Sequence, residues 1–208
     1  MMLLFLLFLS FSSPAQSDPE AKKILDKLST YYNSLSKVEV TFDLSINFAE
    51  QKPEIQTGKI LKSGNKFIAS IGPQEFINDG NAIYLILHPS KEIQISSIED
   101  SQETMGISPT NFFDFYQNNE YEFAITQTKG ELKFIEFKPL DKWSDYSKLR
   151  MTVNHVNNRI LKLEAFGKDG SQYIFTIKNT NANPSITSTT FAFSKEKYKS
   201  YEILDLRQ

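Results

Sequence analysis

The chain has 208 residues, with 23 Lys and Arg against 25 Asp and Glu, a net charge of −2 and no cysteine. Near-balanced charge with no basic cluster argues against a nucleic-acid-binding protein. The absence of cysteine excludes disulfides and a lipid-modified N-terminal cysteine.

Residues 1–15 have the pattern of a secretory signal peptide. An apolar run at 3–11 is followed by small and polar residues that end in Ser-Pro-Ala at 13–15. The run is about half of the roughly 20 apolar residues that a membrane-spanning helix needs. We expect cleavage after Ala15, with an uncleaved anchor as the alternative because no Lys or Arg precedes the run. Export would place residues 16–208, as a single domain, in the periplasm.

The segment after residue 17 has the signals of an amphipathic helix. Asp18 is a favourable N-cap, Pro19 occupies the first helical position, and Glu20 suits the positive end of the helix dipole. One apolar stripe follows at helical spacing, formed by Ile24, Leu25, Leu28, Tyr31, Tyr32 and Leu35. The pattern predicts a helix whose apolar face covers another part of the domain.

From residue 38 onward the apolar period changes to two, which predicts strands. The first strand alternates over eleven residues, with Val38, Val40, Phe42, Leu44, Ile46 and Phe48 on one side. Turn signals such as Asp79-Gly80 separate the later runs. No helix long enough for a parallel crossover separates them, so we predict an antiparallel sheet. The further predicted strands are 55–62, 66–71, 74–77, 82–87, 92–97, 121–128, 131–138, 148–153, 159–166, 172–178 and 189–193.

One insertion interrupts the strands. Ser108 as cap and Pro109 at the first position open a predicted short helix. This helix carries four aromatic residues, Phe112, Phe113, Phe115 and Tyr116. Either it plugs the end of a β core, or it is a lid whose aromatic side faces a lipid cavity.

The residues give little support to an enzyme. His88 and His155 stand apart at strand ends, and no Gly-x-Ser-x-Gly motif or glycine-rich phosphate loop is present. We therefore predict no catalytic residues, no metal and no cofactor. The acidic clusters lack the spacing of metal ligands and are predicted to be solvated loops; they comprise Glu99, Asp100 and Glu103, and Asp141 and Asp145 around Trp143.

The chain is rich in phenylalanine, with 17 residues. Many occupy alternating strand positions, which suits a well-filled core. It equally suits a hollow, ligand-binding core, and composition by itself gives ligand binding only a slight preference.

The order of segments from about residue 18 to the C-terminus resembles the LolA family of periplasmic outer-membrane lipoprotein carriers. The resemblance is carried by a strand, a turn and an aromatic strand, followed by an Asn-Asp-Gly hairpin, the Pro109 helix and the chain end. The matching stretches are Gly-Lys-Ile-Leu-Lys at 58–62, Gly-Asn-Lys-Phe at 64–67, Phe-Ile-Asn-Asp-Gly-Asn-Ala-Ile-Tyr at 76–84, Phe-Ala-Phe at 191–193 and Asp-Leu-Arg at 205–207.

The resemblance implies a mainly β (α+β) fold, a curved, incomplete antiparallel barrel covered by the N-terminal helix and the aromatic lid helix. It also implies a monomeric carrier that holds lipoprotein acyl chains in an apolar cavity. The carrier would take acylated lipoproteins from a lipoprotein-releasing transporter of the inner membrane to an acceptor, or to the membrane surface, at the outer membrane. The residues expected to line the cavity are Phe42, Leu44, Ile46, Phe48, Phe67, Phe76 and Tyr84, with Phe112, Phe113 and Phe115 in the lid.

One position departs from the family pattern. Family members have an arginine at the end of the strand before the turn, where it latches the lid, and the matching residue here is Ser63. Lys62 or Lys66 could supply a cation, but a lysine does not reproduce the planar fork of arginine. Three alternatives to lipoprotein carriage are kept: a closed-barrel binder of a small hydrophobic molecule, a regulatory or sensor domain that binds a partner protein, and, last, an enzyme.

Overall fold

The computed structural model describes residues 17–99 and 115–207. The predicted signal peptide and the lid residues Phe112 and Phe113 lie outside these ranges. The elements are helix α1 (Pro19–Ser34) and strands β1 (Lys37–Asn47), β2 (Glu54–Ser63), β3 (Lys66–Ile71), β4 (Gln74–Asn78), β5 (Ile83–Leu87), β6 (Glu92–Ser96), β7 (Tyr121–Lys129), β8 (Leu132–Pro139), β9 (Tyr146–Asn154), β10 (Arg159–Gly167), β11 (Gln172–Asn181) and β12 (Glu202–Asp205), with a 3₁₀ turn at Phe115–Asn118.

Helix α1 begins where the capping signals predict. The Asp18 carboxylate accepts hydrogen bonds from the backbone N–H groups of Glu20 and Ala21, at 2.8 and 3.3 Å. The same carboxylate accepts from the N–H of Ile125 in β7, at 3.2 Å, and the Asp18 N–H donates to the carbonyl of Phe123. The cap therefore fixes the helix to the sheet as well as starting it.

All twelve strands form one curved, unclosed sheet. Their order is β12-β6-β5-β4-β3-β2-β1-β11-β10-β9-β8-β7. The sheet is a succession of hairpins, and β1 joins its two halves by pairing with β2 on one side and β11 on the other. The edges of the described sheet, β12 and β7, do not pair with each other, so the barrel stays incomplete.

The predicted antiparallel, mainly β fold is confirmed, with two corrections near the C-terminus. Residues 189–193 are not a strand but a series of turns, because the Thr190 hydroxyl accepts from the N–H of Thr187 and the carbonyl of Thr189 accepts from the N–H of Ala192. Further on, β12 pairs with β6 in parallel, which the sequence did not predict.

Both faces of the sheet bury apolar side chains. The inner face, defined as the one that carries α1, holds a large cluster under the helix over β7–β10 and a smaller one around Phe67, Ala69 and Ile83. The outer face of β4–β6 is covered by the C-terminal segment, whose Phe193, Tyr198 and Tyr201 pack against it. Opposite residues of paired strands point to the same side of a sheet, so the register assigns each residue to one face.

Candidate functional site

The inner face is sealed over one half of the sheet and partly open over the other. Over β7–β10, α1 and the 3₁₀ turn bury Ile135, Phe137 and Val153 completely. Over β1–β5 and β11, many apolar side chains of the same face stay half-buried. We call this set the half-buried patch; it comprises Ile46, Ile60, Ile71, Phe76, Leu85, Leu87, Tyr173, Phe175 and Ile177.

Exposure on the inner face increases toward one end of the sheet. Along β1, Phe42 and Leu44 are buried, Ile46 is half-buried, and Phe48, just beyond the strand, is 42% exposed. In β3, Phe67 and Ala69 are likewise buried while Ile71 is half-buried. The half-buried patch therefore opens at the end where β1 turns into β2 and β3 turns into β4, which we call the open end.

Of the seven predicted cavity residues, six lie on the inner face or directly continue it. Phe67 and Phe76 belong to the same small cluster, in which Phe76 is half-buried and packs on the buried residues. Phe42, Leu44, Ile46 and Phe48 follow β1, and the Phe42 ring contacts that of Phe175 at a centroid distance of 5.5 Å.

Tyr84 lies on the other face of the sheet. Its ring stacks on Phe193 of the C-terminal segment, with centroids 4.1 Å apart and planes at 8°. Its hydroxyl donates to the Asp79 carboxylate at 3.1 Å, and burial, aided by that carboxylate, raises the pKa of the Tyr84 phenol. Tyr84 is thus separated from Phe76 by the thickness of the sheet.

Phe115 is the one predicted lid residue within the described ranges. It is buried under α1, with its ring 5.0 Å from that of Phe137 and 5.6 Å from that of Tyr121. Its neighbour Tyr116 donates to the Asp26 carboxylate of α1 at 3.0 Å, and burial raises the pKa of Tyr116 to about 12. These contacts make Phe115 part of the sealed half of the inner face.

Several members of the half-buried patch were not predicted as site residues. Tyr173, Phe175 and Ile177 alternate along β11, so the period of two could have marked them. Their proximity to β1 depends on the pairing of Leu44 with Phe175 and of Ile46 with Tyr173. That pairing joins two segments that are far apart in the chain and has no local sequence signal.

Two cavities border α1. A groove of about 740 Å³ runs between the exposed side of the helix and the β9–β10 turn, with Lys23, Lys27 and His155 among the residues of its walls. A pocket of about 200 Å³ lies at the C-terminal end of α1, where Leu35, Val38 and Lys62 line it. Lys62 therefore points to the inner face, whereas the neighbouring Ser63 hydroxyl donates to the carbonyl of Ser36 at 3.3 Å.

The described residues offer apolar contact rather than reactive groups. Within 17–99 and 115–207, no three His, Asp or Glu side chains are grouped so that they could hold a metal ion. His88 is exposed and interacts with the Tyr201 hydroxyl through its Nδ1 at 2.9 Å, whereas His155 lies in the wall of the groove beside α1. In the same part of the chain, no helix combines the length and apolarity needed to cross a bilayer.

Comparisons with known proteins support a relationship over most of the chain. The family model described as outer membrane lipoprotein carrier protein LolA matches residues 51–194, and no curated protein sequence matches. An uncharacterized conserved protein from Thermus thermophilus is similar in structure, with a TM-score of 0.59 and 8% identity over 89% of this chain and 99% of that one.

Two other solved structures are more distant in shape. A LolA superfamily protein from Nitrosomonas europaea has a TM-score of 0.45 and 14% identity, over 83% of this chain and 97% of that one. LprF from Mycobacterium bovis has a TM-score of 0.44 and 14% identity, over 83% and 98% of the respective chains.

Proposed function

The chain belongs to the LolA family of outer membrane lipoprotein carrier proteins, and on that premise we propose that it carries lipoproteins across the periplasm. Their acyl chains would bind to the half-buried patch. The observation that supports this most directly is the unequal burial of one sheet face. The same apolar face is sealed under α1, whereas over β1–β5 and β11 many of its side chains stay half-buried.

The physical requirement of such a carrier explains why half-burial suits it. Burial of a methylene group is worth about 0.8 kcal/mol, so a sixteen-carbon chain contributes on the order of 12 kcal/mol. A carrier must replace most of that burial and still release its cargo. Side chains that already pack on one side and keep the other accessible can cover an acyl chain without first breaking a filled core.

Within this proposal, the floor of the binding site is formed by Phe42, Leu44 and Phe67. The ligand is contacted by Ile46, Phe76 and Leu85. Phe48 would lie at the entrance, and Tyr84 would support the sheet from behind. We also propose that Lys62, which lines the pocket at the C-terminal end of α1, takes the place of the family arginine, whose matching position here is Ser63. Acylated lipoproteins, a releasing transporter in the inner membrane and an acceptor at the outer membrane are the proposed partners.

The direct test is binding of an acyl ligand by the purified protein. Isolated from a periplasmic extract, it should retain acylated protein or phospholipid that mass spectrometry detects. Leu85→Glu would place a charge on the half-buried patch and should reduce retention at least about tenfold, because a carboxylate beside an acyl chain must be desolvated.

Leu161→Glu is the matched control. Leu161 is an exposed residue at a bulge of β10, outside the half-buried patch. This variant should retain ligand like the wild type. Equal retention by both variants, or a wild-type protein that retains no lipid, would reject the proposed carrier function.

A further inference from the structure

The most exposed large apolar side chain in the described part of the protein is Trp143, the single tryptophan of the chain. It lies in the connection between β8 and β9 and is 90% exposed. In the same connection Leu140 is 51% exposed, and Tyr146, at the start of β9, is exposed as well. Three exposed apolar or aromatic residues in one short stretch of the chain require an explanation, since single exposed residues are common but groups are not.

The loop is held by hydrogen bonds on both sides. The N–H of Leu140 donates to the carbonyl of Glu120 at 2.8 Å, and the N–H of Trp143 donates to the Asp141 carboxylate at 2.8 Å. From the neighbouring turn, the Lys168 ammonium donates to the carbonyl of Lys142 at 2.7 Å, and its backbone N–H donates to the carbonyl of Asp145. The backbone is thus fixed in a form that leaves the indole ring in water.

This loop and the β1–β2 connection emerge from the same end of the sheet. The register of the adjacent strands β1, β11, β10 and β9 aligns four residues side by side across the sheet, namely Asn47, Gln172, Phe166 and Lys148. Directly beyond that row lie the β8–β9 loop on one side and Phe48 on the other. Ile55, the second residue of β2, is 70% exposed at the same end. We call these five residues, Leu140, Trp143, Tyr146, Phe48 and Ile55, the apolar tip.

The chemistry of the apolar tip selects a lipid surface over a charged partner. The β8–β9 loop and its neighbouring turn carry two lysines, 142 and 168, against three aspartates, 141, 145 and 169. This net charge of −1 offers little attraction to a polyion. Tryptophan and tyrosine combine an apolar ring with a polar atom and favour the membrane–water interface. The apolar side chains project from separate hairpins. A fluid bilayer can bury them individually, because it needs no surface of complementary shape.

We propose that the apolar tip docks the protein onto the surface of a phospholipid bilayer. Because the half-buried patch opens at this same end, docking would bring the opening against the membrane. The purpose of this docking rests on the proposed carrier function. In the docked state, a lipid could pass between the half-buried patch and the bilayer without crossing water. The docking itself is a separate property and can be measured without any cargo.

Trp143 supplies its own probe, because it is the only source of tryptophan fluorescence. When phosphatidylcholine vesicles are added to a protein that comprises residues 16–208, the fluorescence emission of Trp143 should shift to the blue. Vesicles with brominated acyl chains should quench it. Leu140→Ser and Trp143→Ser together should weaken co-flotation with vesicles at least about tenfold, since burial of each large apolar side chain is worth about one factor of ten or more.

Val156→Ser is the matched control, because Val156 is also an exposed apolar loop residue but lies at the β9–β10 turn, at the opposite end of the sheet. This variant should float with vesicles like the wild type. An emission spectrum unchanged by vesicles, or equal losses in both variants, would overturn the inference. A blue shift that depends on protein concentration and needs no lipid would overturn it in favour of self-association.

The carrier function and membrane docking can be tested independently of each other. The double variant in the apolar tip should bind a fluorescent fatty acid like the wild type in the absence of vesicles, whereas Leu85→Glu should lose that binding and still float. Normal flotation by a wild-type protein that binds no acyl probe would reject the carrier function and leave membrane docking in place.

Discussion

The ring of Phe42 lies directly over Gly58 of the neighbouring strand. A Cβ atom added at position 58 would lie 2.2 Å from Cζ of Phe42, far inside van der Waals contact. The two residues are partners in the β1–β2 register, and Phe42 is buried. Gly58 thus provides the space in which Phe42 lies flat on the inner face, at the floor of the half-buried patch.

Gly58→Ala should therefore destabilise the fold. The methyl group would displace a buried ring in a closely packed region, and overpacking of this kind costs about 1–3 kcal/mol. The free energy of unfolding, measured by urea denaturation, should fall by that amount. Combined with Phe42→Ala, the substitution should cost clearly less than the sum of the single variants, because its steric partner is gone. Simple additivity of the two costs would contradict this relationship.

Acid should weaken the attachment of α1 to the sheet through Asp18. The N–H of Ile125, together with those of Glu20 and Ala21, holds the pKa of Asp18 below its ordinary value of 3.8. Because the folded-state pKa is lowered, the contribution is complete above the unfolded pKa and is lost as the pH falls through the folded one. Asp18→Asn should reduce stability more at pH 7 than at about pH 2.5, as measured by denaturant unfolding at both pH values.

The loss of stability expected at neutral pH when Asp18 is replaced follows from its role as the helix N-cap. Replacement of an N-cap residue by alanine costs about 0.5–2 kcal/mol, so Asp18→Ala should lie in that range or above it, given the additional bond to β7. Lys22→Ala, at an exposed position of the same helix, serves as the control and should change stability by less than about 0.5 kcal/mol. An Asp18 variant as stable as the wild type at pH 7 would show that the bond to Ile125 is not formed in solution.

The C-terminal segment should contribute to stability through Tyr198. Its ring lies between Phe193, stacked at 5.7 Å, and Tyr201, and its hydroxyl donates to the Glu75 carboxylate of β4 at 2.9 Å. Tyr198→Ala should lower the free energy of unfolding by about 3–5 kcal/mol, the usual range for removal of a buried aromatic ring.

Its control is Lys199→Ala, at the next and exposed position. Hydrogen exchange can locate the effect: in Tyr198→Ala the amides of β12 and β6 should lose protection first, because the segment links Tyr198 to β12. Uniform loss of protection over the whole sheet would instead mean that the segment does not act as a local cover of the outer face.

The sequence by itself determined the local elements of this protein. The cap at Asp18, the apolar stripe of α1 and the eleven-residue alternation of β1 each depend on neighbours in the chain, and the structure has them within a residue or two of their predicted ends. Hairpin turns between successive runs also fixed the antiparallel order of neighbouring strands, since short connections allow no other pairing.

Only the tertiary structure decided which apolar residues share a face and where that face opens. In β5, Tyr84, Leu85 and Ile86 are all apolar, so periodicity could not distinguish the inner side from the outer one. Pairing with β4 puts Leu85 beside Phe76 and Tyr84 beside Ile77, under the C-terminal segment. The parallel β12 likewise has no local signal. Register and the docking of distant segments depend on contacts across the whole chain, and a local pattern carries no information about those contacts.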